Sequence, residues 1–140
     1  MDSAENRKIV INAALENLGM VNSFVESLLA EKDCSPKVMM QLELVVEEIF
    51  SNIANYAYGD EVGQVTIEGC LEDNAAKIRL KFVDKGTPYN PLEKPDPDVT
   101  LGLEDRPIGG LGIYLVKNNV DDIFYQHEDE QNILTIIKNI

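Results

Sequence analysis

Hydrophobic residues recur along the chain with two different periods, and the change of period separates strands from helices. Residues 8–14 form a β-rich run that predicts the first strand. Across residues 15–32 the apolar spacing is that of an amphipathic helix. Ser35 followed by Pro36 is typical of an N-cap and first helical position. A second helix is therefore predicted from Pro36 to about Tyr58.

The second half of the chain favours an antiparallel sheet. Residues 64–72 and 76–84 are predicted strands joined by a turn at 72–74, and residues 120–127 and 131–138 form a final hairpin. In the strand 76–84 apolar residues alternate with Lys and Arg, so one face packs and the other meets water. We predict an α+β fold, a two-layer α/β sandwich whose mixed, mostly antiparallel sheet is covered by helices on one face.

One long segment, residues 85–108, follows neither period. It holds five of the six prolines, among Asp, Gly and Thr. Irregular segments of this length inside compact domains tend to be functional, so we expect a mobile lid at about residues 90–108. A short helix is predicted from the glycines at 109–112 to about Asn119.

Composition and charge narrow the classes of protein to which the chain can belong. At 140 residues with 44% hydrophobic residues, it is expected to form one domain over residues 1–140. A net charge of −13 repels nucleic acid and anionic membranes, so neither is an expected partner. The two cysteines, Cys34 and Cys70, form no paired motif, and neither a leader pattern nor a membrane-spanning run is seen. We therefore expect a cytoplasmic protein.

Glu48 and Asn52 are the first residues that could carry chemistry. At about 100° per residue they lie one turn apart along one margin of the apolar face of the second helix. Asn55 lies on the same flank, whereas Glu47 faces away. A carboxylate beside a carboxamide oxygen could hold Mg²⁺ or orient a nucleophile. The alternative is an exposed glutamate and a surface asparagine with no such role.

Asp84 ends a predicted strand with the parity of its apolar residues, so its carboxylate is expected to face the packed side. That position is unfavourable unless hydrogen-bond donors surround the carboxylate. An adenine amino group would serve, with Gly86 letting the backbone approach the ring. The alternative is a turn that simply begins at Asp84.

Gly109, Gly110 and Gly112 stand at the start of a predicted helix, where backbone N–H groups can point at an anion. The run is neither a Walker loop nor a Rossmann fingerprint, because their flanking residues are missing. The alternative is a flexible hinge at the end of the lid. His127 is the single histidine, so a zinc site is not expected.

Taken in order, these motifs resemble those of the histidine-kinase and gyrase type (GHKL) ATPases. Residues 48–58 resemble the N-box of that superfamily, residues 84–91 are similar to its first glycine box and residues 109–113 to its second. The small size, the Ala57-Tyr58 ending of the N-box and the Tyr-Asn-Pro of the first glycine box resemble the anti-sigma-factor serine/threonine kinase branch. The resemblance covers nearly the whole chain.

The resemblance also implies a set of site residues. Those it assigns to nucleotide binding are Asn52, Asn55, Asp84, Gly86, Arg106, Gly109, Gly110, Leu111 and Gly112. Within this set Asn52 would coordinate Mg²⁺ and Asp84 would bind the adenine amino group. The backbone amides of Gly110 and Gly112 would bind the phosphates, and Arg106 would contact the γ-phosphate.

A kinase of this branch uses ATP and Mg²⁺ to phosphorylate a Ser or Thr on an anti-anti-sigma protein, sequesters a sigma factor and is commonly a homodimer. Glu48 would be its general base. The alternatives are a non-catalytic module of the same fold that binds nucleotide and switches a partner, and an interaction module of that fold whose pocket does not function. A carboxylate at position 48 favours the enzyme, because a pure sensor would tolerate glutamine there.

Overall fold

The computed structural model describes residues 6–30, 32–93 and 111–140. Its strands and longer helices, in chain order, are β1 (Arg7–Asn12), α1 (Leu18–Leu28), α2 (Pro36–Asn52), β2 (Gln64–Glu72), β3 (Lys77–Asp84), α3 (Leu111–Asn119), β4 (Asp122–Glu128) and β5 (Gln131–Asn139). Single turns of 3₁₀-helix occupy Leu15–Asn17 and Pro91–Glu93, and a π-helical turn occupies Ile53–Ala57. Within this part of the chain no helix is both long enough and apolar enough to cross a membrane.

The five strands form one sheet in the order β1-β2-β3-β5-β4. All four pairings between described strands are antiparallel, which confirms the α+β sandwich but leaves no parallel pair of the kind expected in a mixed sheet. The reason lies in the connections. α1 and α2 return the chain to the end of β1, so that Asn12 pairs with Gln64, and β5 lies between β3 and β4, which run in the same direction.

The alternation predicted for β3 positions the core. Ile78, Leu80 and Phe82 are buried beneath the helices, whereas Lys77 and Arg79 lie on the open face. The largest fully buried side chains are Phe50, Phe82, Leu42, Ile67, Ile78, Leu80, Ile136, Val21, Val45, Val46, Val65 and Val116. Burial of apolar area on this scale is the main favourable contribution to folding.

α2 is the helix that contacts both other helices. Ser35 caps its N-terminus by accepting a hydrogen bond from the Val38 N–H at 3.2 Å, and Pro36 follows at the first helical position, as predicted. The α-helix ends at Asn52, not at Tyr58. Beyond Asn52 the chain forms the π-helical turn, whose last carbonyl, that of Ala57, accepts a hydrogen bond from outside the helix.

The other helix boundaries also differ from the sequence prediction. The first predicted helix, over residues 15–32, begins as the 3₁₀ turn and becomes α1 only at Leu18. It ends at Leu28 because the Leu29 and Lys32 N–H groups bond to carbonyls three residues back, which tightens the chain into turns. β1 likewise ends at Asn12, two residues before its predicted end.

Lys138 is a cation in the interior, only 6% exposed, on the inward face of β5. Its Nζ donates a hydrogen bond of 2.8 Å to the carbonyl oxygen of Asn119, the last residue of α3. A positive charge is favourable there because the last carbonyls of a helix lack partners within it. Burial lowers the pKa of Lys138, against a raising effect of Asp121 and together with a smaller lowering by Lys37.

Replacing Lys138 by methionine should change the pH dependence of stability. Because the pKa of Lys138 is lowered in the folded chain, the unfolded chain binds more protons in the range just below 10.5. The free energy of unfolding of the wild type should therefore rise, relative to Lys138→Met, as the pH increases through that range. Urea unfolding of both proteins at two alkaline pH values measures this. A difference between them that does not change with pH would contradict it.

Candidate functional site

One part of the candidate site is a contact between α2 and the start of α3. Glu48 is half-buried on α2, and a Cβ built on Gly112 would lie 2.5 Å from its Oε2. The carboxylate therefore lies beside the first turn of α3, where free backbone amides and the helix dipole favour negative charge. The structure thus brings together Glu48 and Gly112, which the sequence placed in separate clusters.

Asn52 is the last residue of α2, one turn beyond Glu48, and is half-buried. Asn55 lies within the π-helical turn and is exposed. Because the helix widens immediately after Asn52, the angular spacing of an ideal α-helix no longer applies to Asn55. The structure keeps Glu48 and Asn52 on one side of α2 and leaves Asn55 facing solvent.

Asp84, the last residue of β3, faces the packed side as predicted and is 6% exposed. Its Oδ1 accepts two hydrogen bonds of 2.9 Å, from the Gly86 N–H and from Asn132 Nδ2. The hydrogen bond from the Gly86 N–H forms the turn that we gave as the alternative to a ligand site. In the structure this turn also orients the Asp84 carboxylate. Among the described residues no hydrogen bond to Oδ2 is seen. The protein therefore fixes Oδ1, and Oδ2 is the oxygen that a hydrogen-bond donor of a ligand could reach.

Gly86 allows a close approach between the loop after β3 and the end of α2. A Cβ built on Gly86 would overlap the carbonyl group of Ala57, and the Thr87 N–H donates to that same carbonyl oxygen at 2.8 Å. From the sequence we expected Gly86 to let the backbone approach a ligand ring. In the described structure the group it approaches is the backbone of Ala57.

Asn132 is a buried member of the site that the sequence analysis missed. It lies on β5 directly opposite Asp84 and is 7% exposed. Its Nδ2 donates to Asp84 Oδ1 and, at 3.1 and 3.4 Å, to the carbonyl oxygens of Thr87 and Gly86. One carboxamide thus ties the loop after β3 to the neighbouring strand. Its inward direction was readable from the sequence, since Asn132 has the same strand parity as the inward-facing Leu134.

The carbonyl oxygen of the Asn132 side chain accepts hydrogen bonds from two donors. Asn132 Oδ1 accepts hydrogen bonds from the Tyr89 N–H, at 3.2 Å, and from the Tyr125 hydroxyl. Acceptors surround Nδ2 and donors surround Oδ1, so only one orientation of the amide satisfies all of them. Burial raises the pKa of Tyr125, which keeps its hydroxyl protonated and able to donate. The network is therefore directional and satisfied.

The donor set favours a metal ion shared with a ligand over one held by the protein alone. In the described ranges no group of three or more His, Cys, Asp or Glu side chains is placed to hold a metal. Mg²⁺ usually keeps several waters and is bound through one or two side chains together with phosphate oxygens. The Asn52 carboxamide, one turn from the Glu48 carboxylate, fits that pattern.

Several candidate residues fall outside the described part of the chain. These are Arg106, Gly109 and Gly110, together with most of the expected lid. Leu111 begins α3, so the start of this helix is described. A shallow surface groove includes none of the candidate residues and is lined by Ile9, Gly19, Met20, Ser23 and Phe24.

Comparison with known sequences relates the chain to one family. Residues 11–138 match the model of the histidine kinase-like ATPase domain. Serine-protein kinase RsbW of Bacillus mycoides is 26% identical over 139 residues, covering 96% of this chain and 85% of that protein. Serine-protein kinase RsbW of Bacillus cereus is 31% identical over 98 residues, 66% of this chain and 59% of that protein.

Solved structures show the same fold. The RsbU and RsbW domains of a Mycobacterium tuberculosis protein match with a TM-score of 0.66 at 14% identity, over 96% of this chain and 32% of that one. A blue-light activated histidine kinase of Erythrobacter litoralis matches with a TM-score of 0.58 at 17% identity, over 89% of this chain and 60% of that one. With the sequence matches, they confirm the resemblance that the three motifs predicted.

Replacing Asn132 by aspartate should destabilise the protein by about 3 kcal/mol at neutral pH, because a second buried carboxylate meets Asp84 and the loop carbonyls lose their donor. The loss should shrink at acidic pH, where one of the two carboxyl groups takes up a proton. Urea unfolding at pH 7 and pH 4.5 measures both effects, with the exposed Asn12→Asp as control. Equal losses for the two variants would contradict the role given to this network.

Proposed function

Because this chain belongs to the histidine kinase-like ATPase family, we propose that it binds ATP with Mg²⁺ in the space bounded by α2, the end of β3 and the start of α3. The observation that carries the proposal is that α2, together with the π-helical turn that continues it, contacts both the start of α3 and the loop after β3. Glu48 lies against Gly112, and Ala57 accepts the hydrogen bond from Thr87. The three motifs that resemble nucleotide-binding motifs therefore meet along one helix.

Asp84 is proposed to receive the adenine ring. Its Oδ2 is a hydrogen-bond acceptor on a nearly buried carboxylate, and an exocyclic amino group is the donor that would complete it. Gly86 and Asn132 hold the other oxygen, so the carboxylate is already oriented before a ligand arrives. A preformed acceptor saves the ordering cost that a mobile side chain would incur on binding.

The phosphates are proposed to lie at the start of α3, on the backbone amides of Gly109, Gly110, Leu111 and Gly112, with Arg106 at the γ-phosphate. An anion there would lie next to the Glu48 carboxylate on a chain of net charge −13. Asn52 would hold the magnesium ion, which supplies the positive charge that offsets this repulsion. Asn55, exposed beyond Asn52, would contact the nucleotide from the solvent side.

The activity proposed is transfer of the γ-phosphoryl group to a Ser or Thr of a partner protein. Glu48 takes the proton of the hydroxyl, the hydroxyl oxygen bonds to the γ-phosphorus, the bond to the β-γ bridging oxygen breaks and ADP leaves. Phosphoryl transfer depends mainly on positioning and charge neutralisation, so one base, one metal and a set of amides suffice. The relatives named serine-protein kinases support this reaction, with sequence identities of 26 and 31%.

The partners are proposed from the family branch. The phosphorylated protein would be an anti-anti-sigma protein, the second partner a sigma factor, and the kinase a cytoplasmic homodimer. A protein substrate agrees with a site bordered by an exposed stretch of chain, since Lys85, Thr87 and Tyr89 all face solvent. Pull-down from the native host, followed by incubation with labelled ATP, identifies the phosphorylated partner.

Magnesium–ATP should stabilise the wild type, by about 2.7 kcal/mol when the ligand is at about 100 times its dissociation constant. Asn52→Ala should abolish the magnesium-dependent part of this stabilisation, because the side-chain ligand to the metal is lost. That part is the difference between magnesium–ATP and ATP with EDTA. Thermal unfolding with ATP alone and with magnesium–ATP measures this. Asn22→Ala on α1 is the control. An unchanged magnesium-dependent shift in Asn52→Ala would refute the metal assignment.

Glu48→Gln should retain nucleotide binding and lose phosphoryl transfer, by about 100-fold or more, because the amide cannot accept the hydroxyl proton. Glu47→Gln, one residue away on the exposed side of α2, should transfer at the wild-type rate. Single-turnover transfer to the isolated partner measures both. Undiminished transfer by Glu48→Gln would exclude Glu48 as the base. Nucleotide binding by the wild type without any transfer would favour the non-catalytic switch.

A further inference from the structure

Tyr58 directly follows the π-helical turn, and its hydroxyl joins two strands to the end of α2. It donates a hydrogen bond to the carbonyl oxygen of Gln64, at the start of β2, and accepts one of 2.9 Å from the Lys85 N–H, just after β3. A carbonyl can only accept and an amide can only donate, so the direction of both bonds is fixed. The hydroxyl uses its single proton and one lone pair to connect groups that are 21 residues apart in sequence.

The ring of Tyr58 is held in place by the chain below it. A Cβ built on Gly63 would overlap the ring, so only a glycine at this position lets the backbone pass beneath Tyr58. Burial raises the pKa of the Tyr58 hydroxyl, the hydrogen bond from the Lys85 N–H lowers it by less, and Asp84 adds a smaller increase. The hydroxyl is therefore protonated, as its bond to Gln64 requires.

Ala57, at the end of the π-helical turn, and Tyr58, directly after it, thus hold consecutive parts of one loop. Tyr58 holds the N–H of Lys85, and the carbonyl of Ala57 holds the N–H of Thr87. Between those two amides lies Gly86, whose own N–H orients Asp84. A shift of Tyr58 would therefore move the group that fixes the Asp84 carboxylate.

We propose that Tyr58 is a positioning residue for the nucleotide site, acting through its hydroxyl to hold the loop after Asp84 against the end of the helix that carries Glu48 and Asn52. The proposal rests on the proposed function. It adds that the Tyr58 hydroxyl holds the loop after Asp84 in place, a role that does not follow from nucleotide binding alone. It makes the adenine end of the site depend on a side chain that need not touch the ligand. Tyr58 would thereby keep the two ends of the site at a constant separation.

The test compares Tyr58→Phe with Tyr56→Phe. The first variant keeps the ring over Gly63 and removes only the bridging hydroxyl, and the second makes the same change at a side chain that is 72% exposed. The dissociation constant for ADP without magnesium reports the adenine end of the site. Amide hydrogen exchange at Lys85 without nucleotide reports the loop itself.

For Tyr58→Phe we expect ADP binding to weaken by about fivefold or more, the effect of about one net hydrogen bond, and faster exchange at Lys85. Tyr56→Phe should match the wild type in both. A purely structural role would lower the melting temperature of Tyr58→Phe while the folded variant still bound ADP within twofold of the wild type, and that result would overturn the proposal.

The wild type separates this proposal from the one on which it rests. If the wild type does not bind ADP, the proposed function fails and the positioning role fails with it. If the wild type and Tyr56→Phe bind ADP and Tyr58→Phe binds equally well, the proposed function stands and only the positioning role is refuted. Unchanged exchange at Lys85 in Tyr58→Phe also refutes it, because the loop would then not depend on the hydroxyl.

Discussion

The site depends on how α2 and its π-helical extension fit against the rest of the molecule. Near its middle, Glu48 lies against the first turn of α3, and at its end the Ala57 carbonyl accepts the Thr87 N–H. These two contacts are nine residues apart, on α2 and on the π-helical turn that continues it. One continuous helical segment therefore sets the distance between the two groups of candidate residues.

Both contacts face a glycine on the opposing segment. A side chain at Gly86 would collide with the Ala57 backbone, and one at Gly112 would displace the end of the Glu48 side chain. The glycines that first suggested loops around a ligand therefore also allow the protein to approach itself closely. In a chain as acidic as this one, charge makes the arrangement less favourable, because Glu48 lies where the phosphates are proposed to bind. The magnesium dependence that we propose would follow from that placement.

Sequence pattern was sufficient for the elements and for the residues that share their periodicity. The alternation in β3 predicted both the buried face and the inward carboxylate of Asp84, and the apolar spacing of α2 predicted the flank that carries Glu48 and Asn52. Residues whose role depends on contacts between distant parts of the chain were harder to find. Asn132 can bond to Asp84 only because the strand register places the two residues opposite each other, although they are 48 residues apart in sequence.

The end of α2 also depends on contacts that the local sequence pattern does not show. Its apolar spacing continues to Ala57, so the pattern predicts an uninterrupted α-helix, but the structure changes to a π-helical turn after Asn52. The hydrogen bonds that accompany the change come from Lys85 and Thr87, on another part of the chain. Local propensity contains no information about such partners, since they become available only when the sheet has formed.

A crystal structure of the chain with ADP and Mg²⁺ would show whether these elements form one nucleotide site. We expect the adenine amino group within hydrogen-bond distance of Asp84 Oδ2, the metal ion on the Asn52 carboxamide and the phosphates at the first turn of α3. A nucleotide bound elsewhere, with Asp84 and Asn52 both without contact to it, would contradict the claim that these elements form one site.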